Sequence, residues 1–344
     1  MRKALALISG GLDSLLATRL ILDQGIHVEG INFYTGFCVE GHTHAIRKQD
    51  ESKQKRNNAL WVAEQLGINL HIIDIVEEYK DVVLNPKHGY GANLNPCLDC
   101  KIFMVKKARE WIEENNFDFI ITGEVMGQRP MSQRKDAMPI VSRESEALDR
   151  LLRPLCAKHM PETLPEREGW VDRSKLLDFH GRNRRPQIEL AKKYGFLDYA
   201  QPAGGCCFLT NEQYSSKLAD LWSSRGERRY ELDDIVLLKI GRHLRPKPGF
   251  KLIIGREEGE NNFMKGYKRQ FAHFEALSHM GPLVLVDGKI APEDRIFAAS
   301  LVARFTQGRE ADLVEMKYTD MLGISHLLNV KPMGAEEISQ TWYL

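Results

Sequence analysis

The chain has 344 residues, is 43% hydrophobic and 28% charged, and carries a formal net charge of +1. That balance excludes a polycation and a disordered chain, so any nucleic-acid contact must come from local basic patches. The length predicts two or three domains, and no apolar run reaches the roughly 20 residues of a membrane span.

The N-terminus runs from Met1-Arg2-Lys3 straight into the apolar stretch Ala4 to Ile8. A signal peptide here would be cut through the loop that follows, so the expected compartment is the cytoplasm, with no membrane contact. In such a setting the six cysteines point to metal binding or catalysis rather than to a disulfide scaffold. They are Cys38, Cys97, Cys100, Cys156, Cys206 and Cys207.

Ala4 to Ile8 reads as a buried parallel strand. Ser9-Gly10-Gly11 then turns the chain, and Leu12-Asp13-Ser14 opens an amphipathic helix that runs to Leu22. Strand, Gly-rich turn and helix N-terminus together make an anion site, because bare N–H groups and the helix dipole point the same way. The spacing is neither a Walker A loop nor G-x-G-x-x-G. His27 to Tyr34 is the second strand, and its end places Asn32 to Tyr34 at a nucleotide crevice. Thr35 to Glu51 is a polar loop. Cys38, His42 and His44 lie in it, either as a metal site or as ordinary solvated loop residues.

Ser52 to Leu66 has helical periodicity and stops at Gly67, a good C′ residue. Leu70 to Ile75 is the third strand, and Tyr79 to Asn95 is expected to be a loop. Asn95 and Pro96 suit the N-cap and first position of a helix. Cys97 and Cys100 then share one face of its first turns, where a helix N-terminus biases thiols toward thiolate. The C-x-x-C alone leaves zinc, a cluster and a redox pair open. Asp99 between them is either a proton shuttle or a helix-start carboxylate.

Phe117 to Ile121 is the fourth strand, running into Thr122-Gly123-Glu124-Val125-Met126-Gly127-Gln128 and then Ser132-Gln133. Arg153-Pro154-Leu155 ends the next apolar segment. Residues 156–200 are rich in Pro, Arg and Lys. Arg182, Arg184, Arg185, Lys192 and Lys193 are either contacts for RNA phosphates or a solvated basic surface. Gln201-Pro202-Ala203-Gly204-Gly205 leads to the pair Cys206-Cys207. Beyond a helix over Glu212 to Arg225, the strand candidates are Ile235 to Ile240, Phe250 to Ile254 and Leu283 to Val286.

Ser-Gly-Gly-Leu-Asp-Ser resembles the pyrophosphate loop of the PP-loop ATPases, which adenylate a substrate. The Thr-Gly-Glu-x-x-Gly-Gln stretch is similar to a signature of tRNA 4-thiouridine synthetases. Asn-Pro-Cys-x-x-Cys with a late Cys resembles tRNA-specific 2-thiouridylases and their iron–sulfur-dependent relatives. The resemblance covers roughly residues 4–210. Gly255-Arg256 followed by Glu260-Asn261 resembles the RNA-binding module of ribosome quality-control proteins. A packing or dimerisation domain is the other reading of that region.

The resemblance implies a doubly wound α/β PP-loop domain over 1–155. A basic helical extension over 156–230 and a smaller α+β domain over 231–344 would follow. It implies a tRNA sulfurtransferase using ATP and Mg²⁺, with Ser9, Gly10, Gly11, Asp13, Ser14, Asn32, Phe33, Gly123 and Gln128 around the nucleotide. Cys97, Cys207 and Asp99 would be catalytic. Cys97, Cys100 and Cys207 would hold a [4Fe–4S] cluster, Cys207 being favoured over Cys206; a cysteine persulfide is the competing mechanism. The implied partners are tRNA and a sulfur donor, either sulfide or desulfurase-derived, with a homodimer allowed. The alternative is a PP-loop ligase of the amide- or nitrile-forming type.

Overall fold

A computed structural model describes residues 1–39, 56–200 and 206–344. The described residues form two compact units, one of those up to Thr210 and one of Asn211–Leu344.

In the first unit, β1 (Lys3–Leu7) leads into α1 (Leu12–Leu22), β2 (His27–Tyr34), α2 (Asn58–Leu66) and β3 (Leu70–Asp74). Then come α3 (Val76–Leu84), α4 (Cys97–Glu114), β4 (Phe119–Ile121), α5 (Ala137–Glu144), β5 (Leu151–Leu152), α6 (Leu164–Arg167) and α7 (Arg185–Lys193). The strands pair in parallel in the order β3-β2-β1-β4-β5. The order reverses between β1 and β4, and in such sheets a crevice opens there at the strands' carboxyl ends.

Ala4, Ala6 and Ile8 alternate onto one face of the sheet. There they meet Leu12, Leu15, Leu16 and Leu20 of α1 and Ala59, Val62 and Leu66 of α2. The segment after β5 packs on the same core through Ala157, Val171, Leu176 and Ala191. α2 starts at Asn58 with the Asn57 side chain accepting the N–H groups of Ala59 and Leu60, and ends at left-handed Gly67. The expected residues 52–55 of that helix, like His42 and His44, lie outside the described residues. The expected loop from Tyr79 starts instead as helix α3, whose Val76, Tyr79 and Val83 are buried at helical spacing.

The second unit contains α8 (Glu212–Arg225), α9 (Leu232–Leu237), β6 (Arg242–Lys247), β7 (Phe250–Ile254), α10 (Glu258–Met264), β8 (Ala272–Ala276) and β9 (Val284–Gly288). α11 (Arg295–Ala303), β10 (Val314–Thr319) and β11 (Ser325–Val330) complete it. Its six strands form an antiparallel sheet in the order β11-β10-β8-β9-β7-β6. Phe250 to Ile254 is strand as expected, the expected strand at Leu283 starts at Val284, and Ile235 to Leu237 is helical. The reason is local: Glu231 and Asp234 close a capping box around the first turn, and Val236 and Leu237 pack with Ile253 and Leu285.

The Gly-Arg…Glu-Asn stretch is a latch. Arg256 pairs with Glu260, and Asn261 receives the Leu283 N–H at 2.8 Å. A Cβ on Gly255 would sit 2.2 Å from the Asn261 oxygen.

Charge is buried beneath this sheet. Lys251 lies 3.0 Å from Asp287 and 3.4 Å from Asp220, which also pairs with Arg245. Lys217 of α8 donates to Leu238 O and Gly241 O at 3.3 and 3.5 Å. Burial, then the Arg256 charge, lower its pKa from 10.5 to about 8. A folded pKa below the unfolded one means that the unfolded chain binds more protons between pH 8 and 10.5. Stability therefore rises with pH across that window, and the full penalty applies below it. Lys217→Met removes this term. In paired denaturant titrations, the stability difference between the two proteins should move by about 3 kcal/mol toward wild type between pH 7 and 10.5. A constant difference would show that Lys217 keeps its proton at no cost.

Candidate active site

The loop Ser9–Ser14 sits at the carboxyl end of β1, and four further segments close on it. Gly10 has φ +78°, and a Cβ there would lie 2.8 Å from Asn58 Cβ and 2.9 Å from Ala59 N, so the start of α2 packs directly on the turn. Gly11 caps α1 in an extended conformation, and its carbonyl accepts the Ser14 hydroxyl at 2.8 Å. From the end of β2, Asn32 Nδ2 donates to Ile8 O at 2.7 Å, with Phe33 buried next to it. Gly123, just past β4, lies flat against the first turn of α1: a Cβ would sit 2.5 Å from both Asp13 C and Ser14 N. Ala200 pairs with Gly11 in a parallel bridge.

Asp13 is the charged centre of this loop. Its Oδ2 accepts Gln128 Nε2 at 2.7 Å and pairs with the Arg184 charge, Nη2 lying 3.1 Å away, and Gln187 Nε2 holds Gln128 at 2.8 Å. Its Oδ1 is buried with no hydrogen-bond partner among the described residues. Burial raises the Asp13 pKa, against the pull of Arg184, Gln128 and Arg129. An orphaned carboxylate oxygen beside a phosphate-type loop is a fitting hard ligand for Mg²⁺. Arg184, read from sequence as either an RNA-phosphate contact or part of a solvated basic surface, sits against Asp13 of the loop.

Glu124 anchors the segment after β4. It is fully buried, and its Oε2 accepts Thr122 Oγ1 at 2.8 Å and Arg153 Nε at 3.0 Å, with Lys101 Nζ at 3.8 Å. Arg153 also donates to Ser142 Oγ and Met138 O. Burial pushes the carboxyl pKa up, but the Lys101 and Arg153 charges and the two hydrogen bonds outweigh it and leave it lowered. The Thr-Gly-Glu and Arg-Pro-Leu stretches are therefore two halves of one buried ion pair.

The cysteines come together around the start of α4. Cys97 opens the helix, and Pro96 is its N-cap residue. Asn95 does not cap: its buried amide donates to Cys97 Sγ at 3.2 Å and to Met131 Sδ at 3.6 Å. Cys100, one turn on, hydrogen-bonds the hydroxyl of buried Tyr79 from α3. Cys207 pairs its backbone with Cys38 in an antiparallel bridge, and Phe208 N–H donates to Phe37 O at 2.9 Å. Asn93 Nδ2 holds Thr210 O at 2.9 Å.

Cys206 is exposed and hydrogen-bonded to half-buried Cys207. The pair shares a proton: Cys206 is lowered to about 6 chiefly by that bond, and Cys207 is raised by it. The charges of Cys100 and Cys97 add to the rise at Cys207. Burial first, then the Cys206 charge, push Cys100 up to about 12. Cys97 is raised by burial, against the Asn95 bond and the Arg129 charge. The expected thiolate bias at the helix start is thus reversed for both, because burial dominates there.

Four sulfurs therefore share one electrostatic neighbourhood, and the field of Arg129 reaches Cys97, Cys206 and Asp13 alike. As soft donors they suit a thiophilic metal or cluster. Among the described residues, however, no three His, Cys, Asp or Glu stand at metal-holding spacing. Cys156 lies apart, buried, with its thiol on Glu124 O at 3.3 Å. Asp99 faces the preceding loop and accepts the His88 N–H at 3.0 Å. Sequence reading missed Tyr79, Asn95, Arg129 and Lys101. For the first of them the spacing with Val76 and Val83 is a faint signal, outweighed by the charged residues between them.

Residues 2–146 match the family described as tRNA methyl transferase HUP domain, and residues 241–343 the family described as NFACT protein RNA binding domain. The tRNA-specific 2-thiouridylase MnmA of Mesoplasma florum is 31% identical over 139 residues, 37% of each chain. That of Christiangramia forsetii is 25% identical over 310 residues, 79% of this chain and 71% of its own. A probable tRNA sulfurtransferase of Finegoldia magna is 28% identical over 163 residues, 47% and 38% of the two chains. The chain spans a little over a third of the length of several of these curated relatives. It resembles tRNA-thiolating PP-loop enzymes over its first part and an RNA-binding domain over its last.

Proposed function

We propose that this chain is an ATP-dependent tRNA sulfurtransferase that adenylates a carbonyl oxygen of a tRNA base and replaces it with sulfur. The observation that carries the reading is the neighbourhood of two chemistries. A phosphate-type loop with a bare carboxylate oxygen and a group of four sulfurs share the field of Arg129. The printed names of the relatives, 2-thiouridylase and sulfurtransferase, favour the same chemistry.

In this mechanism Ser9, Gly10, Gly11 and Ser14 hold the phosphates of ATP, and Asn32, Phe33, Gly123 and Gln128 border the nucleotide. Asp13 is the residue that would hold Mg²⁺, which would neutralise phosphate charge. The base oxygen attacks the α-phosphorus and pyrophosphate leaves. The loop's N–H groups stabilise the charge that develops there. A sulfur nucleophile then adds at the base carbon, and the C–O bond breaks to release AMP. On the cysteine route one of Cys97 and Cys207 carries the sulfur as a persulfide; once its outer sulfur is bonded to the base, the other thiol attacks the S–S bond, leaving a disulfide and the thiocarbonyl, with Asp99 the proposed proton carrier. Were a [4Fe–4S] cluster bound, Cys97, Cys100 and Cys207 would hold it and it would supply a thiophilic iron for sulfur delivery. The donor is sulfide for the cluster route, or a desulfurase-derived persulfide, already at the sulfane level, for the cysteine route.

The test is pyrophosphate release from ATP with and without tRNA, with mass spectrometry of the nucleosides afterwards. The reading expects release that depends on tRNA and a new thionucleoside. Release that depends on ammonia or a small acid instead would replace it with an amide- or nitrile-forming ligase. An anaerobic preparation without iron or charge-transfer absorbance would remove the cluster and leave the persulfide route.

A further inference from the structure

The second unit carries a pocket of about 420 Å³ lined by Arg242, Arg304, Phe305, Arg309, Gln340 and Tyr343, with Ala335 and Ile338. Its walls are built from distant parts of the chain. Arg242 opens β6, and Arg304, Phe305 and Arg309 follow α11. Residues 335–343 form the third wall, fixed to β6 by the bridge between Tyr343 and Leu244.

Three guanidinium groups line one space, and among the described residues Glu310 is the carboxylate that pairs with them. Glu310 lies 3.2 Å from Arg304 and 4.0 Å from Arg309. Arg242 makes no ion pair among the described residues; its guanidinium lies 5.8 Å from the Phe305 ring centroid. Two positive charges thus remain uncompensated beside an aromatic face, an amide and a phenol. Several guanidinium groups gathered without carboxylates repel one another, so the arrangement favours an anionic occupant. The volume suits one small organic group, and the Phe305 and Tyr343 rings suit a flat one.

We propose that this pocket binds one phosphate-linked nucleotide of single-stranded RNA, with Arg242, Arg304 and Arg309 on the phosphate and Phe305 or Tyr343 against the base. Unpaired RNA is read by such a combination of backbone cations and stacking rings. The choice of RNA as ligand rests on the tRNA reading above; the pocket's preference for an anion with a flat group does not.

The experiment uses the full chain and fluorescein-labelled decauridylate, followed by fluorescence anisotropy over a salt series. Unlabelled decauridylate, AMP and inorganic phosphate serve as competitors. The Arg242→Ala/Arg309→Ala double variant should bind at least about tenfold more weakly. Its salt slope should fall by about 1.4, as two phosphate contacts on a single strand are lost. Arg309→Glu, at an exposed position, should also weaken binding, and it carries the test if the double variant fails to fold. Wild-type affinity and slope in folded variants would overturn the proposal, as would a wild type that does not bind decauridylate. Displacement by AMP or phosphate as effective as by unlabelled decauridylate would also overturn it, in favour of a small-anion site. Thionucleoside formation, measured alongside, separates the two readings. Variants that lose decauridylate binding while wild type makes no thionucleoside uphold the pocket and sink the thiolation. Thiolation with variants that bind normally does the reverse.

Discussion

Cys207→Ser should lower thionucleoside formation by at least about a thousandfold while leaving tRNA-dependent pyrophosphate release close to wild type. Losing a sulfur-bearing nucleophile costs on that scale, and the Cys207 side chain takes no part in the loop around Asp13. The backbone contacts that place this residue, to Cys38 and Thr210, do not depend on its sulfur. Cys38→Ser is the matched control, since Cys38 contributes its backbone to the bridge and its thiol contacts Thr35 Oγ1 at 3.5 Å and Phe33 O at 3.9 Å. It should keep both activities.

Cys206→Ser is the discriminating variant. Cys206 is the exposed member of the pair, and its thiolate is the one favoured by the shared proton. A persulfide chemistry that used Cys206 would lose as much with this variant as with Cys207→Ser. A cluster held by Cys97, Cys100 and Cys207 would survive it. Thionucleoside yield by mass spectrometry and pyrophosphate release, measured on all three variants, read these outcomes. A Cys207→Ser protein that still thiolates at the wild-type rate would end the assignment of that sulfur.

The first half of the fold was legible because its signals are local. An unbroken apolar run, two glycines and an Asp-Ser at a helix start describe β1, the turn and α1 without reference to anything distant. The same holds for α2 with its C′ glycine. The α3 helix was not legible because its buried positions are sparse and separated by charged residues, so a window containing Pro86 and Gly89 read as loop. The α9 helix was missed because an apolar run of six looks the same in a strand and in a short buried helix. Only the capping box at Glu231 and Asp234 told them apart.

The site divides the same way. Asp13, Gly123, Gln128, Cys97 and Cys100 stand in motifs whose chemistry shows in their spacing. Arg184, Asn95 and Tyr79 do not, since the partners each acts through are not announced by its own position: Asp13 for Arg184, the sulfurs of Cys97 and Met131 for Asn95, and a thiol from a different helix for Tyr79. Asn95 shows how a good local rule loses. It has the right type for an N-cap, but Cys97 Sγ and Met131 Sδ claim its amide, and Pro96 takes the cap position.

Gly123→Ala should cost more than any other single methyl added to the loop region at an ordinary backbone angle. Gly123 has no left-handed φ to protect, so the cost is steric alone. The new Cβ would meet Asp13 C and Ser14 N at 2.5 Å and Asp13 O at 2.6 Å. Those atoms belong to the first turn of α1, whose next turns are locked by Leu15, Leu16 and Leu20 in the core, so they cannot withdraw as a flexible side chain would. Overpacking of this kind costs about 3 kcal/mol, which corresponds to a Tm lower by roughly 6–12 °C for a unit of this size. The strain falls on Asp13 and on the N–H groups proposed to hold the phosphates, so pyrophosphate release should drop by about a hundredfold or more, as displacements of about 1 Å in a site do. Gly11→Ala is the counterpart. Gly11 has an extended backbone, and the nearest atom to an added Cβ is Ser9 Oγ at 3.6 Å, an ordinary contact that should leave Tm close to wild type. Thermal melts and pyrophosphate assays on the two alanine variants decide the matter. Equal behaviour of the pair would mean that the β4 loop and the start of α1 do not touch as closely as the structure places them.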